Sequence, residues 1–204
     1  MRGLLNTDKA RFVSANTLEF PDVPCIPDKI DPCKWIDFDV CSSCSDRNNT
    51  AVHCFCDDYK LERLWTDPAR YAAMLSQFKY VVMPDFSLYY DYPRALQIYN
   101  KYRSHWLAAY FTLSDICVIP NISASTPDNY DWSFLGLPKH SVVAFSDIGC
   151  RRNKEDFKIL MRSYDTMIKL LEPVQILYFT RAKECPDGAT LIRVPFCKGG
   201  EFYG

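Results

Sequence analysis

Apolar runs in this chain repeatedly stop at a carboxylate or its amide. WIDFD closes on Asp37 and Asp39, HCFCDD on Asp57 and Asp58, VVMPD on Asp85, CVIPN on Asn121 and VVAFSD on Asp147. Oxygen-rich side chains of this kind can hold a hard cation such as Mg2+. Alternatively, two of them can divide the roles of acid and base when their surroundings separate the pKa values. Asp57 and Asp85 stand directly past apolar runs and are the candidate Mg-type ligands or acid–base groups. Taken singly, each Asp or Asn has a plainer use, as a helix cap or a turn former. Asp58 is placed to cap the helix that carries Glu62 and Arg63. Asp37 and Asp39 alternate with Ile36 and Phe38, which puts both acids on one face of a strand, where they need partners or solvent.

Sulfur is the second candidate chemistry. Of ten cysteines, Cys41 and Cys44 form a C-x-x-C, and Cys54 and Cys56 fall on one strand face by period-two alternation. These four thiolates, with His53 or Cys33 as substitutes, could complete a tetrahedral zinc site. C-x-C on a strand is not the knuckle of a zinc ribbon, and a face bearing Val52, Cys54 and Cys56 also reads as core. Free thiols, zinc and disulfides therefore all stay open. A disulfide scaffold suits a shorter, exported chain, and the opening MRGLLNTDKARFVSANTLEF has no sustained apolar core of an export signal. A redox role for CSSC lacks a helix start that would depress a thiol pKa.

The third candidate is basic. Arg94, Lys101, Arg103 and His105 accompany Gln97 and Asn100 on one long helical pattern, and Arg151, Arg152 and Lys154 follow a later strand. They could grip phosphates or a nucleic-acid backbone, or form a solvated face beside Glu155 and Asp156. Phe86, Tyr89, Tyr90 and Tyr92 could line a pocket or pack in the core. With 24 basic and 25 acidic residues the net charge is -1, so there is no global coat for an anionic polymer. Neither G-x-G-x-x-G nor a Walker loop occurs, and no G-x-S-x-G flanks a serine. No apolar stretch is long enough to span a bilayer, and an intracellular place is expected.

These residues need elements to hold them. Residues 1–34, with Pro21, Pro24, Pro27 and Pro32, read as an N-terminal arm packed on a single α/β domain of residues 35–204. Strands are expected at 35–40, 51–57, 80–84, 116–120, 141–146, 174–179 and 191–196. Helices are expected at 59–64, 68–78, from about 91–93 to 112, near 130–136, and at 153–171. CSSCSDRNNT is short for a crossover helix, so the second strand is expected either to pair antiparallel or to have a strand missing before it. The alternation predicts a mostly parallel sheet, as an irregular or incomplete (β/α) barrel or else an open doubly wound sheet. In both, ligand sites lie at the carboxyl ends of the strands.

The stretches HCFCDDYKLERLWTDPARY, VVMPDFSLYYDYPRALQIYNKYRSHWLAAY, CVIPN and YDWSFLGLPKHSVVAFSDIGC together resemble the domain-of-unknown-function family 4417, over roughly residues 34–180. The resemblance implies a phage or prophage origin, and with it a place in the cytoplasm of a host cell, and assigns no reaction. It marks Asp57, Asp58, Glu62, Arg63, Pro84, Asp85, Ser87, Tyr89, Asn100, Arg103 and Gly136 as characteristic positions. Cys54 and Cys56 replace the family's apolar or aromatic residues, which weakens a family-wide metal site. FTRAKE stands where a glycine turn is usual, which leaves the C-terminal rim open.

The leading expectation is a strand-end site with Asp57, Asp85, Glu62 and Arg103 as catalytic groups, and Ser87, Tyr89, Asn121 and Asp147 contacting substrate. Mg or Zn are the possible cofactors, and a nucleotide or nucleic acid is the favoured ligand. The alternatives are a non-catalytic protein that binds and blocks a host defence protein, or a virion component.

Overall fold

The computed structural model describes residues 5–195, 197–198 and 201–202. The strands are β1 (Lys34–Asp37), β2 (Thr50–His53), β3 (Tyr80–Val82), β4 (Val118–Ile119), β5 (Val142–Ser146), β6 (Gln175–Thr180) and β7 (Thr190–Arg193). The helices are α1 (Asp58–Thr66), α2 (Pro68–Leu75), α3 (Arg94–Thr112), α4 (Tyr130–Ser133) and α5 (Lys154–Leu171). A short antiparallel pair, Cys197–Lys198 with Glu201–Phe202, follows. The apolar runs form strands where expected, but most strands are shorter. Cys54 and Cys56 lie beyond β2, and Asp39 lies beyond β1.

β1 to β4 form one parallel sheet and β5 to β7 a second, each with its strands in chain order. A single parallel bridge between Asn121 and Ala144 joins them. Ile122 N–H donates to the Ala144 carbonyl (2.9 Å) and Ala144 N–H to the Pro120 carbonyl (2.8 Å). Among the described residues no ladder joins β1 to β7, so the sheets do not close into a barrel. The incomplete, mostly parallel arrangement is the one expected.

Alternation along the strands separates two layers. Val82, Ile119, Val142, Ala144, Leu177 and Phe179 face an interior shared by both sheets. There Phe179 of β6 meets Trp35 of β1 (ring centroids 4.9 Å) and Phe55 (4.8 Å). Their neighbours Val81 and Val118 pack with α1 to α3, and Val143, Phe145, Ile176 and Tyr178 pack with α5.

One expectation is overturned: β2 runs parallel to β1, from Lys34 opposite Thr50 to Asp37 opposite His53. The crossover is made without an α-helix. Two 3-10 turns, Cys41–Ser43 and Arg47–Asn49, carry the chain back. Arg47 bridges them, donating to the Cys44 and Ser42 carbonyls.

The arm docks across the whole body. Asn6 donates to the Trp65 carbonyl, and Trp106 Nε1 to the Ala10 carbonyl. Val142 N–H donates to the Ile26 carbonyl, and Ile30 N–H to Gln175. Ile26 and Ile30 thereby reach the interior between the sheets.

Candidate strand-end site

The carboxyl ends of the parallel strands carry the acids, but most are already occupied. Asp37 Oδ1 accepts the backbone N–H of Asp39 (2.7 Å) in a turn, so the two do not share a strand face. Burial pushes the Asp37 carboxyl up. Asp39 pairs with Lys60 (2.9 Å) and Arg63 (2.6 Å), which hold its carboxyl below the ordinary range. Asp57 is exposed at the cap position of α1 and makes no cap bond.

Asp58 does not cap its helix; it accepts the Ser87 hydroxyl (2.8 Å) and backbone N–H (3.1 Å). Asn100 donates to the Ser87 carbonyl (2.8 Å) and accepts from Arg103 (2.7 Å). The Arg103 guanidinium pairs with Glu62 and lies 3.8 Å from the Phe86 ring centre. Glu62, Ser87 and Arg103 thus brace the β3–α3 connection against α1. In that geometry they position the loop, and Arg103 is only 7% exposed. Asp147 is likewise enclosed. It accepts from Tyr178 (3.1 Å) and Thr180 (2.9 Å) and pairs with Arg151, tying β5 to β6.

Asp85 remains open. It is half-buried, and Asn121 Nδ2 donates to its Oδ1 (2.7 Å). Desolvation raises its pKa to about 6, against the hydrogen bonds from Asn121 and Ser123 and the charge of Lys101. Lys101 is 1% exposed, and Nζ donates to the Ser123 carbonyl (3.3 Å). Burial lowers its pKa to about 8 although Asp85 opposes the shift. Asn121 Oδ1 is buried without a partner among the described residues. Cys150 lies in the field of both Asp85 and Asp147, and burial lifts its thiol to about 11. The seam between the two sheets therefore holds a titratable carboxyl, a buried ammonium and an amide with an unmet acceptor.

In the sequence Lys101 belongs with the basic residues of one helical pattern, a phosphate grip or a solvated face, and nothing there places it at the strand ends. The structure reverses that face. Gln97, Asn100, Lys101, Arg103, Ser104 and His105 are buried, while Ala95 and Leu96 are exposed. A polar stripe at helical spacing ordinarily marks solvent. Here its partners come from loops distant in sequence. Gln97 Oε1, for example, accepts from Ser125 (2.9 Å) and Asn129 (2.9 Å). Arg94 remains exposed and pairs with Asp131.

Among the described residues no three His, Cys, Asp or Glu side chains gather as a cation cluster. No third such side chain among the described residues joins Asp57 and Asp85 in a cluster, and Cys41, Cys44, Cys54 and Cys56 do not form one. The nine cysteines whose side chains are described are free thiols, and burial raises those of Cys41, Cys54 and Cys56. Tyr89 is exposed beside Tyr92, with ring centroids 5.0 Å apart, while Phe86 is core. No helix described is long and apolar enough to cross a membrane.

Fold and site define an α/β protein of sequentially ordered parallel strands with a polar, titratable cluster at their carboxyl ends. The chain belongs to the family described as a domain of unknown function (DUF4417), whose model matches residues 12–195. It is similar to the Gene 1 protein of Mycobacterium phage L5, 36% identical over 141 residues, covering 69% of this chain and 62% of that protein. The Gene 1 protein of Mycobacterium phage D29 is 35% identical over 137 residues, covering 67% of this chain and 51% of that one. The chain thus spans less than two thirds of either relative. No solved structure matches. These relationships make it a phage-type protein.

Proposed function

We propose that the strand-end cluster binds a nucleotide or an unpaired base of a nucleic acid, with Asp85 as the group that takes up and releases a proton. The observation that carries this reading is the juxtaposition of Asp85, Asn121 and Lys101. A carboxyl with a pKa of about 6 stands beside a buried amide oxygen that lacks a donor among the described residues. Two neighbouring acceptors suit the amino and imino N–H groups on a base edge. Tyr89 and Tyr92, on the same β3–α3 connection, add exposed rings of the type on which bases stack. Placement at the strand ends, where α/β folds keep their ligand sites, supports it further.

The test is calorimetric titration of the full chain with mononucleotides and with a short single-stranded oligonucleotide. Saturable binding is expected, weakened about tenfold in Asp85→Asn, as for loss of one hydrogen bond to a charged group. No binding by any of these ligands, or binding indifferent to D85N, ends the reading.

A second reading has its own support. Tyr89, Tyr90, Tyr92 and Leu96 are 53%, 64%, 41% and 49% exposed on adjoining turns. Exposed aromatic clusters are the usual anchors of protein interfaces. A host-protein binder predicts that Tyr90→Ala abolishes capture of a purified host partner while D85N leaves it intact.

A further inference from the structure

The helix-free crossover between β1 and β2 leaves the outer layer incomplete. α1 and α2 cover the gap only in part, and a pocket of about 170 Å3 remains. Phe38, Tyr71 and Met74 supply its apolar lining, and Asp39, Ser42, Arg63 and Arg70 its polar lining. We propose that this pocket is a second binding site, for a small organic anion: one carboxylate on an apolar body about the size of a single ring.

Size sets the first limit, since a dry apolar cavity of about 150 Å3 holds benzene. The rings of Phe38 and Tyr71, which line it, meet edge to face at 5.6 Å.

Charge decides the rest. The Asp39 carboxylate is already taken by Lys60 and Arg63. Arg63 lies over Phe38 at 4.7 Å and spends Nε on the Lys60 carbonyl and one terminal nitrogen on Asp39. Its other terminal nitrogen has no partner among the described residues. Arg70 lies over Tyr71 at 5.7 Å and makes no side-chain hydrogen bond or ion pair among the described residues. The pocket therefore holds guanidinium donors without acceptors beside a carboxylate that is already neutralised. Guanidinium forks are matched to planar carboxylates. The apolar walls favour an organic body over a bare inorganic anion.

The experiment titrates benzoate, benzamide and inorganic phosphate separately into the full chain and follows the amide NMR signals of Ser42, Tyr71 and Met74. Benzoate is expected to shift them saturably. Benzamide, the same ring without the charge, and phosphate, the charge without the ring, are each expected to bind about tenfold or more weakly. Arg70→Ala, on the exposed side of α2, is expected to weaken benzoate by a similar factor. Ser42→Trp keeps every charge and fills the pocket, so it is expected to abolish the shifts. Benzamide or phosphate binding as tightly as benzoate, no response to R70A, or no saturable shift with benzoate overturns the assignment. D85N leaves benzoate binding unchanged, so the result is read independently of the strand-end cluster.

Discussion

Ionising Asp85 creates a negative charge that burial opposes and that Asn121, Ser123 and Lys101 only partly relieve. Its folded pKa of about 6 lies above the ordinary 3.8. Its contribution to stability is therefore fully present below about pH 4 and lost as the pH rises through about 6. Asp85→Asn cannot ionise. Relative to D85N, the wild type is expected to lose about 2 kcal/mol between those limits, read from denaturant unfolding at a series of pH values. Parallel pH profiles for the two proteins would remove the raised pKa from the account. A second expectation concerns the neighbouring ammonium. Lys101→Met deletes a charge that favours the carboxylate, so the Asp85 midpoint should move up, as followed by carboxyl carbon NMR. Asp85 was legible in VVMPD because an acid just past an apolar strand must lie at the sheet edge. Lys101 was not, because a lysine in a mixed helix reads as surface until the loops that receive it are placed.

At the level of elements, α3 is the piece that the chain's periodicity describes least well. Its polar stripe is interior because four separate loops meet it, and no local rule foresees that. One such meeting is at Gly136, whose φ of +71° favours glycine. A Cβ there would stand 3.2 Å from His105 Nδ1 and 3.2 Å from the Pro21 carbonyl. That carbonyl accepts from His105 Nδ1 (2.8 Å), so the ring carries its proton on Nδ1, and Val23 N–H donates to the Gly136 carbonyl (2.9 Å). Gly136→Ala is expected to cost about 2 kcal/mol in thermal unfolding, from backbone strain and a loosened arm. A change below the error of the measurement would mean that the turn adjusts freely. The β1–β2 crossover shows the complementary limit. Its length was legible, but the direction of β2 was not. Two 3-10 turns braced by Arg47 carry the chain back in place of a crossover helix.

On the scale of the whole molecule, the alternation of apolar runs and helical patterns was enough to give parallel strands, layered packing and an unclosed sheet. The single bridge at Asn121–Ala144 was not visible, since register between β4 and β5 is set by long-range packing. Neither was the extent of arm docking, where prolines announce an extended chain without saying what it touches. Removal of residues 1–33 would strip the interior between the sheets of Ile26 and Ile30 and leave the Val142 amide without its acceptor. The truncated chain is expected to lose cooperative unfolding, checked by near-ultraviolet circular dichroism on heating. A sharp transition near the full-length temperature would show that the body stands alone.

Every ladder within the two parallel sheets joins strands adjacent in the sequence, so each new strand can add to an edge already formed as the chain leaves the ribosome. The arm breaks that order. Ile26 must find Val142, and Ile30 must find Gln175, 145 residues later. The arm thus leaves the ribosome well before the strands it docks on, and until β6 emerges the nascent protein carries its own closing strap undone.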